Sequence, residues 1–398
     1  MDNKTASVSH RNEFIDLLRF LFCLIIFLHH AGHVTGGVVT LMPSGGLAAD
    51  AFFMLTGYYT VRHVSKRYGK KSAKDGAADS GRDEMTKRPV LYSVKYTLLK
   101  LWKAFPYVVF GTGIVYLLEC VIDKLLQVPI GGWIGLLSRL KYMLVEITYL
   151  PLTGIMGELN ALTYRNAPMW YLSALLIALP IVMIVCILLH KPFKYVIVWI
   201  GPVLLQRLMY SHYGGVLPWA QMMGPVNSGY VRGLSSLLMG GAVYFASEAV
   251  ACASEGLRSK AADGVLRTVL TAAELALLAM FLRNVINGVS EFRELSSLYL
   301  IAGALGLNLS GATFTSRLHF PPAALLGRLS LPIFCLHWGI YRWVASFLGS
   351  LGWQKEIPLV FVLCVVTALV LMAIVDFLGR GFRWLKGRFV RQDEKQMK

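Results

Sequence analysis

Apolar segments of membrane-spanning length recur through the whole chain. They lie at about 14–36, 46–62, 104–123, 168–189, 195–210, 230–250, 266–283, 295–313, 326–348 and 358–379. A helix that crosses the roughly 30 Å hydrocarbon core of a bilayer needs about 20 apolar residues, so most of these segments fit, and 46–62 and 195–210 are short. Only 15% of the residues are charged, whereas soluble domains have about a quarter. Because the backbone must satisfy its own hydrogen bonds in lipid, the pattern predicts an all-α polytopic membrane protein with about ten transmembrane helices.

Basic residues concentrate between alternate apolar segments. The segments 1–19, 62–103, 191–194, 249–267, 314–328 and 380–398 contain most of the 39 lysine and arginine residues. Since cytoplasmic loops carry an excess of these residues, both termini are predicted to be cytoplasmic in a multi-pass protein of the cell membrane. Membrane topology accounts for the net charge of +17, so the lipid bilayer is the expected partner and nucleic acid is not.

Two long connections divide a chain that otherwise reads as one membrane domain, 1–390, with a cytoplasmic tail at 391–398. The first, 62–103, is a basic cytoplasmic loop whose small, polar middle, 69–88, is expected to be disordered. The second, 124–167, is a long external loop. It contains apolar and basic residues at helical spacing, which indicate either a helix in the outer interface or a packed re-entrant segment.

Four ionisable residues share one face of the first apolar segment. Arg19 and His30 are eleven residues apart, which brings them within 20° of each other around a helix and about 16 Å apart along it. Asp16 and His33 fall on the same stripe, whereas His29 is 80° away and is the weaker candidate. Ionisable groups within a span normally face a cavity or a partner, although a stripe satisfied within the bundle is the alternative. A histidine near the centre is suited to accept a proton.

Several blocks resemble the acyltransferase-three family of integral-membrane O-acyltransferases. The segment "RNEFIDLLRFLFCLIIFLHH", residues 11–30, is similar to that family's first helix, an aspartate, Leu-Arg, ten residues and a histidine. The segment "GGLAADAFFMLTGYY", residues 45–59, resembles its Gly-Val-Asp-x-Phe-Phe-x-Leu-Ser-Gly-Phe, with Asp50 in the aspartate position. Weaker similarities follow in "MWYLSALL" at 169–176, "RGLSSLLMGGAVY" at 232–244 and "GRLSLPIFCLHWGIY" at 327–341. The blocks occur in family order over nearly the whole chain.

One block departs from the family pattern in its basic residues. The family commonly has Arg-x-x-Arg-x-x-Pro at the cytoplasmic entry to its third helix, and this chain has Lys100-x-x-Lys103-x-x-Pro106. The positive charge is kept, but the planar guanidinium fork that suits phosphate is lost.

The resemblance implies an O-acyltransferase, usually an O-acetyltransferase, that uses acyl-CoA as co-substrate and has no permanently bound cofactor. The acceptor would be a hydroxyl of a cell-envelope polysaccharide or a lipid-linked glycan. Lys100, Lys103 and Arg19 would bind the CoA phosphates. His30, catalytic together with Arg19, would be the general base or would carry the acyl group briefly.

The remaining polar residues in the spans are predicted to support this site. Arg232 lies near the outer end of its helix and is expected to meet an acidic or glycan acceptor, and His337 lies in the middle of its helix. Asp50 and Asp16 are the two candidate partners of Arg19. The six cysteines form no CxxC pair, so no metal site is expected. The rival interpretation is a transporter or exporter of a glycan or small molecule, whose intramembrane charges line a pathway.

Overall fold

The chain forms an all-α bundle. A computed structural model describes residues 11–34, 41–69, 80–125, 132–150, 166–223, 226–256, 259–348 and 352–396. The helices are α1 Glu13–Val34, α2 Leu47–Gly69, α3 Ser80–Lys87, α4 Pro89–Leu125, α5 Gly132–Glu146, α6 Trp170–Leu188, α7 Val198–Tyr213, α8 Ser228–Glu255, α9 Lys260–Asn287, α10 Glu291–Leu309, α11 Pro322–Leu348 and α12 Trp353–Gln396. Short helical turns at Ala167–Met169, His190–Pro192, Phe193–Ile197 and Thr315–Arg317 join them. A two-residue antiparallel ladder pairs β1 Met222–Met223 with β2 Val226–Asn227.

The protein is a polytopic membrane protein, as the sequence predicted. Each of the ten predicted segments overlaps one helix. In the described residues, 7 helices are long and apolar enough to cross a membrane, on α1, α4, α6, α8, α9, α11 and α12. The other three predicted spans fall on α2, α7 and α10. The count of ten and the cytoplasmic position of the termini stay predictions.

Close backbone approach holds the centre of the bundle together. A Cβ atom on Gly57 of α2 would lie 2.1 Å from the carbonyl oxygen of Leu237, and one on Gly240 of α8 would lie 2.1 Å from that of Met54. Glycines therefore let α2 and α8 pack backbone against backbone, as small residues do between membrane helices. Around this pair, α1 packs against α11, and α6 lies between α4 and α8.

Helices extend into both ends of the predicted basic loop 62–103, whose boundaries at the membrane stay predictions. Helix α2 continues to Gly69, because residues 58–68 contain neither glycine nor proline, and α4 begins at Pro89, since proline is favoured in the first turn of a helix. Part of 69–88 is helix α3, not disordered chain, and Met85 of that helix is fully buried. Residues 70–79 lie outside the described residues.

The predicted tail is also helical in the structure. Helix α12 runs to Gln396, so most of 391–398 belongs to it. Residues 388–396 contain neither glycine nor proline, which favours continuation of the helix into the tail.

The long connection 124–167 packs as a re-entrant segment over its described part. Helix α5 runs antiparallel to α4: Arg139 pairs with Asp123 near the end of α4, and the Tyr149 hydroxyl donates to the carbonyl of Leu101 at 3.1 Å, nearer its start. The chain therefore descends along α4 into the bundle, as the second sequence alternative predicted. Residues 126–131 and 151–165 lie outside the described residues.

Candidate functional site

Two histidines from distant parts of the sequence form the centre of the candidate site. His30 lies on α1 and His337 on α11, and His30 Nδ1 is 2.8 Å from His337 Nε2. The rings are stacked, with centroids 5.1 Å apart and planes 17° apart. His337 is 1% exposed. The sequence had placed both residues in spans but had not joined them.

The contacts of His337 determine which nitrogen of each ring holds its proton. His337 Nδ1 lies 2.8 Å from the carbonyl oxygen of Phe334 and 3.1 Å from that of Ile333. A carbonyl only accepts, so this Nδ1 holds the proton, and in a neutral ring Nε2 accepts. His30 Nδ1 must then donate to it. A neutral His30 consequently carries its lone pair on Nε2, the nitrogen that a base needs.

His30 borders a cavity of about 390 Å³, which we call the histidine chamber. It is lined by Ile26, His29, His30, Gly46, Ala49, Pro168, Trp170, Leu217, Pro218, Trp219, Arg232 and Phe334. The indoles of Trp170 and Trp219 stack with centroids 6.0 Å apart and planes 25° apart. The chamber thus joins a basic nitrogen to an aromatic wall.

His29 borders the histidine chamber as well. The helical angle of 80° from the stripe had made it the weaker candidate, and its side chain nevertheless reaches this cavity. Its Nδ1 donates to the carbonyl oxygen of Met42 at 2.7 Å, which holds the ring against the segment that leads into α2. His33 lies in the last turn of α1, and its side chain is outside the described part of the structure.

Arg232 lines the chamber as part of a buried ion pair. Its Nη2 lies 2.7 Å from Asp50 Oδ2, and the two side chains are 3% and 1% exposed. Ser236 also donates to Asp50 Oδ1 at 2.8 Å, and the Arg232 guanidinium donates to the carbonyl oxygens of Gly46, at 2.6 Å, and Leu217. Oxygen atoms of the protein therefore satisfy the positive charge of Arg232, which the sequence analysis had expected to meet the acceptor substrate. Arg232 stands over the Trp170 ring, 5.1 Å from its centroid, and fixes that wall.

Arg19 pairs with Asp16, not with Asp50. Its Nη1 is 3.6 Å from Asp16 Oδ1, and Arg11 also bonds to the Asp16 carboxylate. That hydrogen bond raises the pKa of Arg11. Arg19 also stands over the Tyr59 ring, 5.7 Å from its centroid. One carboxylate thus serves two guanidinium groups, which leaves an excess of positive charge.

This excess charge surrounds a second cavity, which we call the basic chamber, of about 830 Å³. Among the described residues, its lining contains five basic side chains, those of Arg11, Arg19, Arg62, Lys100 and Arg317, against the single carboxylate of Asp16. The sequence had not selected Arg11 or Arg317. There was little reason in the sequence to select them, because basic residues are common beside membrane spans whether or not they bind a ligand.

A third cavity, of about 660 Å³, lies between the two chambers, and we call it the middle cavity. Arg19 and Lys100 line both it and the basic chamber, and Ala49 and Phe334 line both it and the histidine chamber. Much of the rest of its wall is apolar or aromatic. The three cavities therefore follow one another from the Arg19 end of α1 to the His30 end.

The two lysines differ in position. Lys100 lies between α4 and α2, with Nζ 3.5 Å from Thr60 Oγ1 and 5.0 Å from the centroid of the Tyr96 ring. Lys103 is exposed and borders only the middle cavity. Within the described part of the chain, no group of three or more His, Cys, Asp or Glu side chains is placed to hold a metal ion.

Comparison with known proteins gives one match. The model of acyltransferase family 3, described as an acyltransferase domain, matches residues 12–376. No curated protein and no solved structure matches the chain. The matched range includes the lining residues of all three cavities except Arg11.

Proposed function

This chain belongs to acyltransferase family 3 and is an integral-membrane acyltransferase, and from that premise we propose that it moves a short acyl group, usually acetyl, from cytoplasmic acyl-CoA to a hydroxyl of a surface or lipid-linked glycan. The observation that carries the proposal is the series of three cavities. A basic chamber suits the donor's phosphates, and a lone pair on a histidine suits the acceptor's hydroxyl. The cavity between them supplies the path for the acyl group.

The basic chamber binds the phosphates of CoA in this proposal. Guanidinium groups bind phosphate oxygens in pairs, and ammonium groups add point charge. Arg19 and Lys100 are central, because they border the middle cavity as well. The phosphates remain at this end, while the thin pantetheine arm extends along the apolar wall. By helix rise, Arg19 and His30 are about 16 Å apart, so the thioester must be carried across the middle cavity.

His30 acts as general base at the other end. Its Nε2 takes the proton from the acceptor hydroxyl as the oxygen attacks the thioester carbonyl. The tetrahedral intermediate then collapses, the C–S bond breaks, and the imidazolium returns its proton to the leaving thiolate. His337 positions the base, since its acceptor nitrogen keeps the proton of His30 on Nδ1. A transient acyl group on His30 would use the same Nε2 lone pair.

The aromatic wall of the histidine chamber binds the acceptor. The apolar face of a sugar ring packs on an indole, and Trp170 and Trp219 offer two such faces. Arg232 and Asp50 hold Trp170 in place beneath that surface.

Two variants of adjacent histidines test the proposal. His30→Ala should abolish transfer of a labelled acyl group from acyl-CoA in proteoliposomes, while His29→Ala, the matched control, should keep most of it, because His29 bonds to a backbone carbonyl. Mass spectrometry of surface glycans from cells with each variant would identify the acceptor through a mass difference of one acyl group. An essential His29 with a dispensable His30 would contradict the assignment. Glycan transport that persists in the wild-type protein without any acyl transfer would favour the rival exporter.

A further inference from the structure

A groove separate from the three cavities lies between the second half of α9 and the first half of α10. Its volume is about 750 Å³, and its polarity changes along its length. Leu277 and Leu300 lie at one end, and Arg283 and Arg293 lie about 9–10 Å closer to the α9–α10 turn by helix rise. Met280 lines the groove between them. The groove therefore has an apolar floor and a positively charged mouth.

The two arginines at this mouth lack carboxylate partners. Among the described residues, neither guanidinium forms an ion pair, and both side chains are exposed. The site also faces away from the bundle centre, because α9 buries only Glu274, Leu278, Phe281 and Val285, none of which lines the groove. Exposed apolar side chains flank it, such as Phe292 at 77% and Met280 at 53%. A groove open to lipid with two uncompensated positive charges needs an anion that is itself attached to an apolar chain.

We propose that this groove binds an anionic phospholipid. The phosphate of the head group lies between Arg283 and Arg293, where guanidinium groups donate paired hydrogen bonds to its oxygens. An acyl chain of the same lipid lies along Met280, Leu277 and Leu300. The amphipathic gradient of the groove matches that of the lipid, and Asn287 adds a polar side chain at the head-group end.

The bound lipid also supports the histidine chamber through one chain segment. The backbone N–H of Val289 donates to Ser44 Oγ at 3.2 Å, and the N–H of Ser44 donates to the carbonyl of Val285 at 3.4 Å. The same segment, residues 41–46, supplies the Met42 carbonyl that holds His29 and the Gly46 carbonyl that holds Arg232. A lipid that fixes the α9–α10 turn therefore fixes a wall of the chamber. This second step rests on the proposed function, whereas the binding step does not.

The test uses the full-length protein and two phospholipid probes. Native mass spectrometry would count retained lipids after exchange into phosphatidylglycerol or phosphatidylcholine. The double variant Arg283→Gln/Arg293→Gln should lose phosphatidylglycerol by about tenfold or more, since a hydrogen bond to a charged group contributes at least about a tenfold change in affinity. Arg207→Gln is the matched control, because Arg207 is exposed on α7 and does not line the groove.

Three results would overturn the proposal. The first is that the double variant retains as much phosphatidylglycerol as the wild type. The second is that the wild type retains phosphatidylcholine and phosphatidylglycerol equally. The third is that a polyprenyl phosphate displaces phosphatidylglycerol, which would identify the ligand as a lipid carrier and not a phospholipid. These readouts need no acyl transfer, so they remain decisive if the proposed function fails. Acyl transfer in nanodiscs should rise with phosphatidylglycerol content in the wild type and in Arg207→Gln, but not in the double variant.

Discussion

The tautomer of His30 can be tested by changing only its partner. His337→Leu removes the acceptor nitrogen that lies 2.8 Å from His30 Nδ1 and leaves the side chain of His30 intact. His337→Gln is the matched variant, because its amide oxygen reaches about as far as Nε2 and can still accept from His30. If His337 only fills space, the two variants should behave alike.

The expected losses differ because one variant keeps a hydrogen bond and the other does not. With Gln, the cost is at most that of one imperfect neutral bond, about 0.5–1.5 kcal/mol, or roughly a 2–13-fold loss of kcat. With Leu, the proton of His30 is free to move to Nε2, the nitrogen that must accept from the substrate. The contribution of general base catalysis, about 10²–10⁴-fold, is then largely lost. KM for acyl-CoA should stay constant, since Arg19 lies about 16 Å away by helix rise.

Two assays check this reasoning, and only one needs activity. Initial rates at saturating acyl-CoA give the ratio of the Gln and Leu variants. Nitrogen-15 NMR of histidine-labelled protein reports which ring nitrogen of His30 is protonated, with His30→Ala to assign its signals. A proton on Nε2 of His30 in the wild type would refute the geometry, and losses for Leu and Gln within threefold of each other would refute the role of His337. Thermal unfolding of each variant excludes a change that is only structural.

Three further predictions follow from other contacts. Lys100→Ala should raise the apparent KM for acyl-CoA by about 5–30-fold, from a loss of about 1–2 kcal/mol of binding free energy, and Lys103→Ala should raise it less because Lys103 is exposed. Acyl-CoA titrations at several salt concentrations would measure these changes. If both variants kept the KM of the wild type, the two lysines would only anchor the protein at the membrane surface. Asp50→Asn should destabilise the fold by about 3–5 kcal/mol, because it leaves the buried Arg232 uncompensated; an unchanged melting temperature would contradict this. Cysteines introduced within 70–88 should resist an impermeant reagent in intact cells, and labelling there would refute the predicted topology.

Local features of the sequence were enough to predict the helices that contain the ten apolar segments and the α1 stripe. Periodicity alone relates Asp16, Arg19 and His30, because an α-helix repeats every 3.6 residues. Departures came where the local pattern was incomplete. Polar composition around α3 predicted disorder, but one buried apolar side chain, Met85, fixes that helix against the bundle.

The partners within the site could not be predicted, because they depend on tertiary packing. His30 and His337 are 307 residues apart in sequence, and Arg232 and Asp50 are 182 apart. Two histidines so far apart in sequence show no periodicity that would relate them, and the position of each could be explained within its own helix. The family resemblance singled out each residue, but only the fold shows which pairs with which.

Contacts at both ends of two helices bear on the predicted number of spans. Helix α2 is not among the 7 helices that are long and apolar enough to cross a membrane, yet it runs the length of α1 in the opposite direction. A Cβ atom on Gly45, just before α2, would lie 2.5 Å from His29, and the Tyr59 ring further along α2 lies beside Arg19. Helix α2 therefore passes through the same depth of the bundle as α1.

Helix α10 gives the same result at the edge of the bundle. Before its start, the N–H of Val289 donates to Ser44, near the His30 end of α1, and at its end Asn308 accepts from Asn12, near the Arg19 end. Two of its polar side chains are satisfied inside the protein, because Ser297 accepts from Asn284 and Asn308 accepts from Asn12.

The direction of α11 limits the count further. Gly327 of α11 abuts Asp16, and His337 bonds to His30, so α11 runs parallel to α1. If only the 7 apolar helices crossed, α11 would be the sixth span and would have to run antiparallel to the first. If all 7 cross, an odd number of α2, α7 and α10 must cross as well, and the total is even. An even total agrees with the prediction from the basic residues that both termini lie on one side, and the count of ten spans stays a prediction.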